Sequence, residues 1–168
     1  MGHSTRSFEA FLAILDAYRI EALIDVRRFP GSRRVPHFRS EVLAAELGAH
    51  DIAYGWLAAL GGRRRGTPAS QNDAWRHPAF RAYADHVESE EFADGLAELV
   101  SVAGGVPTVI MCAELLWWRC HRRLIADVLT SLGERVVHIR DADTSEVHQI
   151  GPPARLVNGV LTYRGERT

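Results

Sequence analysis

The sequence predicts an α/β fold, a mainly parallel sheet flanked by helices, in a single domain over residues 1–168. Short apolar runs alternate with longer stretches of helical period, which is the pattern of strand–helix–strand units. No repeat or low-complexity tract interrupts the 168 residues, a length that fits one domain with a sizeable core. Polar clusters also follow the apolar runs directly, and ligands of open α/β sheets sit outside the carboxyl ends of the strands.

Residues 7–18 read as a helix, with Phe8, Phe11, Leu12 and Leu15 on one face, Ser7 as N-cap and Glu9 in the first turn. A buried strand is expected over residues 20–26, around Leu23-Ile24-Asp25-Val26, followed by a loop from Arg27 to Pro36 punctuated by Pro30 and Gly31. Ser40 to Leu47 forms a short helix stopped by Gly48, and residues 52–56 form a strand. The loop 61–68 holds three arginines and three glycines. Pro78 opens a helix running to Val87, and Glu90 to Ala103 forms another, ended by Gly104-Gly105. Pro107 to Cys112 is the clearest strand. The helix after it is expected from Cys120 to Leu132, with Leu124, Ile125, Val128, Leu129 and Leu132 at helical spacing. Gly133 ends it and Arg135 to Ile139 is the next strand. In the tail, residues 141–168, His148-Gln149-Ile150 and Val160–Tyr163 are expected as arms of a hairpin across Asn158-Gly159.

No apolar run approaches the roughly 18–20 residues of a membrane span, so no membrane partner is expected. Met1-Gly2-His3-Ser4 carries no basic region followed by an apolar core, and two cysteines make no secreted disulfide framework; a cytoplasmic location is expected. Net charge is −1, against a generally basic nucleic-acid coat. Yet all 20 cationic residues are arginine, and they cluster. Arg27, Arg28, Arg33 and Arg34 form one group, Arg63 to Arg65 a second, and Arg119, Arg122 and Arg123 a third. Arginine forks bind phosphate and carboxylate with two bonds at once.

The stretch from Thr108 to Arg123 concentrates chemistry: both cysteines, two of the four tryptophans and three arginines. Cys112 ends a buried strand, where a packing role competes with access to the rim. Cys120 sits at the expected helix start, where free N–H groups and nearby arginines favour a thiolate. Glu114 is either a general acid or base or a capping carboxylate. His3 is a surface residue or an acid/base, and Asp25 either a buried partner that fixes the loop or a carboxylate that orients a guanidinium or sugar hydroxyl.

Four stretches together carry a resemblance: Gly2-His3-Ser4-Thr5; Asp25-Val-Arg27-Arg28-Phe-Pro30-Gly-Ser32-Arg33; Leu60-Gly61-Gly62-Arg63; and Met111-Cys112-Ala-Glu114 with Trp118-Arg119-Cys120-His121-Arg122. In order and spacing over residues 2–140 the chain resembles the bacterial and archaeal family called domain of unknown function 488. The resemblance implies a small α/β domain and supplies no reaction. The family pattern carries a short apolar strand before the Gly-His-Ser, so either the sheet here has lost an edge or the start of the chain is misassigned. The run Leu115-Leu116-Trp117 is more apolar than the family pattern.

Four functions compete. The first is an enzyme acting on a phosphate-bearing substrate, a nucleotide or nucleic acid. Ser4, Arg27, Arg28, Arg33, Arg63, Arg119, His121 and Arg122 would hold the anion, and Trp56, Trp117 or Trp118 would stack a base. Cys112, Glu114, Asp25, His3 and Cys120 would be nearest the chemistry. The second is a rhodanese- or phosphatase-like thiol enzyme. Those loops use Cys, five residues, Arg, whereas six separate Cys112 from Arg119 and none is glycine. The third is a zinc or iron site from Cys112, Cys120, His121 and His3. Seven residues between the cysteines match no common zinc spacing, and adjacent Cys120 and His121 on a helix would diverge by about 100°. No cofactor is therefore required. The fourth is a non-enzymatic phosphate-binding module. Nothing indicates an oligomeric state.

Overall fold

The computed structural model describes residues 1–165. Its centre is a three-stranded parallel sheet in the order β2-β1-β3, with β1 at Ala22–Asp25, β2 at Ala53–Trp56 and β3 at Thr108–Met111. Ala22 pairs with Ala53 on one side and Thr108 on the other, so the three strands end level. All four β1 residues are buried, as a central parallel strand with covered faces requires. Successive side chains alternate faces. Leu23, Val109 and Met111 pack against Phe11, Ile14 and Leu15 of helix α1 (Phe8–Ala17) and Leu43 and Leu47 of α2 (Ser40–Gly48). Ile24 and Val26 face the other way, onto Tyr83 of α3 (Pro78–Val87), Phe92 and Leu96 of α4 (Glu90–Ala103) and Leu124 of α5 (Arg122–Ser131). The expected α/β fold is present, and no helix among the described residues is long and apolar enough to cross a membrane.

Helix starts follow their caps: the Ser7 hydroxyl accepts from Ala10 N at 3.2 Å, and Ser89 from Phe92 N at 3.2 Å. No side-chain bond caps α2, and none caps α5. Helix α5 begins at Arg122, two residues later than the periodicity implies. A single 3₁₀ turn over Trp117–Arg119 precedes it, and Cys120 is extended at φ −128°, ψ 152°.

The sheet edge beside β3 is short rather than absent. The Met1 ammonium donates to Ile110 O at 2.8 Å, Cys112 N donates to Met1 O at 3.3 Å, and His3 N to Cys112 O at 3.0 Å. Gly2 forms one parallel bridge with Cys112. A Cβ on Gly2 would lie 2.0 Å from Glu114 O, so only glycine lets these two backbones meet.

The tail departs from expectation. Strand β4 (Val137–Ile139) does not join the parallel sheet; it pairs antiparallel with β5 (Ser145–Val147). The hairpin is β6 (Arg155–Val157) with β7 (Val160–Thr162), turning at Asn158 and Gly159, both at positive φ of 51° and 80°. Residues 148–150 are not its arm. His148 is buried instead, its Nε2 donating to Asp127 Oδ1 at 2.9 Å, while Tyr163 OH donates to Asp127 Oδ2 at 3.0 Å. Both bonds tie the tail to α5. Residues 166–168 of the expected tail lie outside the described residues.

Candidate functional site

Because β1, β2 and β3 are parallel and end level, the segments that leave their carboxyl ends meet on one side of the sheet. They bound a cleft of about 670 Å³. Arg28 and Phe29 enter it from the segment after β1, Gly62 and Arg63 from the loop after β2, and Cys112, Glu114, Trp118 and Arg119 from the segment after β3. Phe80 and Tyr83 of α3 close the remaining wall.

Cys112, Cys120 and His121 also line the cleft, and their side-chain donor atoms lie within 4.8 Å of one another. Adjacent Cys120 and His121 converge because neither lies inside a helix: Cys120 is extended and His121 is the α5 N-cap. The divergence expected of helical neighbours does not arise. His121 Nε2 bonds Val26 O at 2.9 Å, and a carbonyl only accepts, so Nε2 carries the hydrogen and Nδ1 faces Cys120 Sγ at 3.5 Å. Arg122 Nε donates to the same sulfur at 3.3 Å, and its second nitrogen bonds Glu114 O, which folds the loop back over the pair. The thiols are unequal. A hydrogen bond from Cys112, then His121 and Arg122, pulls Cys120 well below the usual thiol range; the same bond and burial push Cys112 well above it.

Several expected ligands do other work. Asp25 is fully buried and accepts from Arg27 N, from Arg27 Nε at 2.9 Å and from Tyr54 OH at 2.9 Å. Arg27 further donates to Phe38 O at 2.8 Å and to His3 Nε2 at 3.3 Å. Its guanidinium braces the loop, and Arg27 lines the cleft from that position, while Asp25 is enclosed by its partners. His3 is buried, stacked on Phe38 with centroids 4.2 Å apart, and burial lowers its pKa to about 4. His3 and Ser4 are not among the cleft residues; Ser4 N bonds Ala113 O and anchors the β3 loop. Arg33 is exposed on the loop before α2, outside the cleft lining. Arg122 is buried behind the thiols. Trp117 stacks on His138 at 3.9 Å and Trp56 Nε1 donates to Arg27 O, which leaves Trp118, 39% exposed, as the tryptophan on the cleft.

Arg28, Arg63 and Arg119 remain at the cleft, with Glu114 exposed beside them. Among the described residues Arg28 makes one loose ion pair, to Glu91 at 3.8 Å. Arg64, by contrast, is absorbed by Ala58 O, Ala59 O and Glu91. The two glycines before them permit close approach: a Cβ on Gly61 would lie 2.7 Å from Arg28 Cα, and one on Gly62 2.8 Å from His121 Nδ1. Sequence reading missed Phe80 and Tyr83, because an amphipathic helix face does not announce which cavity it walls. It also missed the buried chain Asp127–His148–His138, in which His148 Nδ1 and His138 Nε2 are 2.9 Å apart.

Arg63 holds φ at 57°, a left-handed conformation costing a non-glycine residue roughly 1–2 kcal/mol. Replacing it with glycine relieves that strain. Arg63→Gly is expected to leave the unfolding free energy from urea titration unchanged or raised by up to about 1 kcal/mol after glycine's own entropy cost, while weakening anion binding. A clear loss of stability would show that the side chain holds the loop.

The sequence model of one family, described as domain of unknown function DUF488, matches residues 7–129. The chain belongs to this family. The DUF488 match spans α1 to α5 nearly complete and so contains every cleft residue. Gly2-His3-Ser4-Thr5 and the docked tail fall outside it. No curated protein and no solved structure is significantly similar to the chain.

Proposed function

We propose that this DUF488 protein is an enzyme that hydrolyses or transfers at phosphorus on a nucleotide or nucleic acid bound in the arginine cleft. One observation carries the reading: Arg28, Arg63 and Arg119 arrive from three separate segments on one cleft that also holds Glu114 and the thiol pair. With a net charge of −1 the protein has no general affinity for polyanions, so three arginines at one place are a local feature. Arg28, Arg63 and Arg119 bind the phosphate oxygens, Trp118 stacks a base, and Glu114 moves a proton at the mouth of the cleft. Cys112, Cys120 and His121 form the reactive floor.

Titration with mononucleotides, single-stranded DNA and RNA across salt concentrations tests this. Arg63→Gln and Arg119→Gln are each expected to weaken binding about tenfold and to reduce the salt slope by roughly one. If the folded protein binds none of these ligands, the reading fails. If it binds them without turnover, the cleft belongs to a binding module. A thiol-nucleophile enzyme is the second reading, favoured by the hydrogen bond that Arg122 Nε donates to Cys120 Sγ; it requires rapid iodoacetamide labelling of Cys120 at neutral pH, which its 5% exposure opposes.

A further inference from the structure

We propose that Cys112, Cys120 and His121 bind a thiophilic divalent metal of the zinc class, with its fourth position open to the arginine cleft. The proposal goes beyond the phosphate reading and stands without it, because it concerns the cleft floor alone.

The argument begins with lone pairs. Val26 O accepts from His121 Nε2, which turns the ring's second nitrogen, Nδ1, toward Cys120 Sγ at 3.5 Å. Cys112 Sγ completes a triangle whose members all lie within 4.8 Å of one another. Three lone-pair-bearing atoms this close are stable only with a cation or shared protons among them. Tetrahedral zinc, with metal–sulfur bonds of about 2.3 Å and metal–nitrogen bonds of about 2.0–2.1 Å, sets sulfur–nitrogen edges near 3.5 Å and sulfur–sulfur edges near 3.8 Å. The observed sulfur–nitrogen edge has that length.

The surroundings are those of a ligand set. A metal-bound histidine donates its other N–H to a carbonyl or carboxylate, as His121 does to Val26 O. Arg122 Nε donates to Cys120 Sγ at 3.3 Å, offsetting the negative charge that two thiolates would bring into a buried site. Gly62 leaves room at the nitrogen, where a Cβ would stand 2.8 Å from Nδ1. A dithiol acting only in disulfide exchange would need none of these features around a histidine. Three protein ligands and one open position are the composition of a catalytic rather than a structural zinc site, and two sulfurs with one imidazole select a borderline-soft ion over magnesium or calcium. All three residues line the cleft, so a water on the fourth position would face the arginines.

Cobalt(II), a spectroscopic stand-in for zinc, tests the site on the full-length reduced protein. One equivalent is expected to bind with a sulfur-to-cobalt charge-transfer band and the intense visible bands of a tetrahedral ion, and one equivalent of zinc should displace it. Cys112→Ser and Cys120→Ser are each expected to halve the charge-transfer intensity. Gly62→Ala, which presses on Nδ1 but leaves both thiols, should keep that band and weaken affinity at least tenfold; it is the informative variant if a cysteine variant fails to fold. Three results would overturn the proposal: no charge-transfer band in the folded reduced protein, an undiminished band in the double cysteine variant, or unchanged cobalt affinity in folded Gly62→Ala. Each is independent of nucleotide binding, so a failed phosphate reading leaves this test intact.

Discussion

Asp25→Ala is expected to destabilise the protein by about 3–5 kcal/mol, read as a fall in the urea midpoint at pH 7. The carboxylate has no exposed surface and is hydrogen-bonded by Arg27 and Tyr54. Removing it leaves the Arg27 guanidinium, itself only 6% exposed, with Phe38 O and a histidine nitrogen for company. A buried cation without its partner costs much more than the intact pair contributes. The loop from Arg27 to Pro36 depends on that anchor, so Arg28 loses its place at the cleft and ligand binding weakens too. Asp25→Asn, which keeps the shape and removes the charge, should fall between wild type and alanine. A loss below about 1 kcal/mol for Asp25→Ala would mean that Arg27 finds water and that the pair is not a structural anchor.

Acid is expected to cost on the order of 3 kcal/mol through His3 alone. Arg27 donates to His3 Nε2 and Ser4 O accepts from Nδ1, so the folded ring is neutral with both nitrogens engaged. A second proton must enter a buried ring against a guanidinium. Burial first, then Arg27, lowers the pKa from 6.5 to about 4. The unfolded chain therefore binds a proton that the folded chain refuses across this interval. The stabilisation is complete above pH 6.5, is lost as pH falls toward 4, and levels off below. His138, lowered by burial and then by His148 to about 3, extends the same loss further into acid. Urea midpoints between pH 4 and 7 should show the slope, and His3→Gln should flatten it. Nitrogen-15 NMR of the histidine rings gives the direct check: a His3 ring titrating near 6.5 would refute the assignment.

Much of the fold is legible in local sequence. Ser7 and Pro78 mark helix starts, and Glu90 to Ala103 is helical over the range the sequence predicts. Ala22 to Asp25 and Thr108 to Met111 read as strands because parallel strands between helix layers are mainly apolar, Asp25 and Thr108 at their ends excepted. Asn158-Gly159 predicts its turn, since both residues accept positive φ. The site was legible as far as the rule that segments leaving parallel strands share one rim. That rule correctly gathers Arg28, Arg63, Arg119, Cys112 and Glu114.

Sequence by itself determined the α/β class, the family, the strands and helices of the matched region, and the segments that could meet. Periodicity, caps and turn residues act over a few neighbours, and a linear text records them. Tertiary structure alone decided which side chains are free. Asp25, Arg27, His3 and Arg122 have the chemistry of ligands, but each is consumed by a partner, and the partners of Asp25 and His3 include Tyr54, far along the chain, and Phe38, across the following loop. Only packing shows that Cys120 and His121 precede their helix and so converge with Cys112 instead of diverging. Burial and hydrogen bonding are properties of a place in space, and the same arginine is a brace where a carboxylate meets it and a candidate ligand where none does.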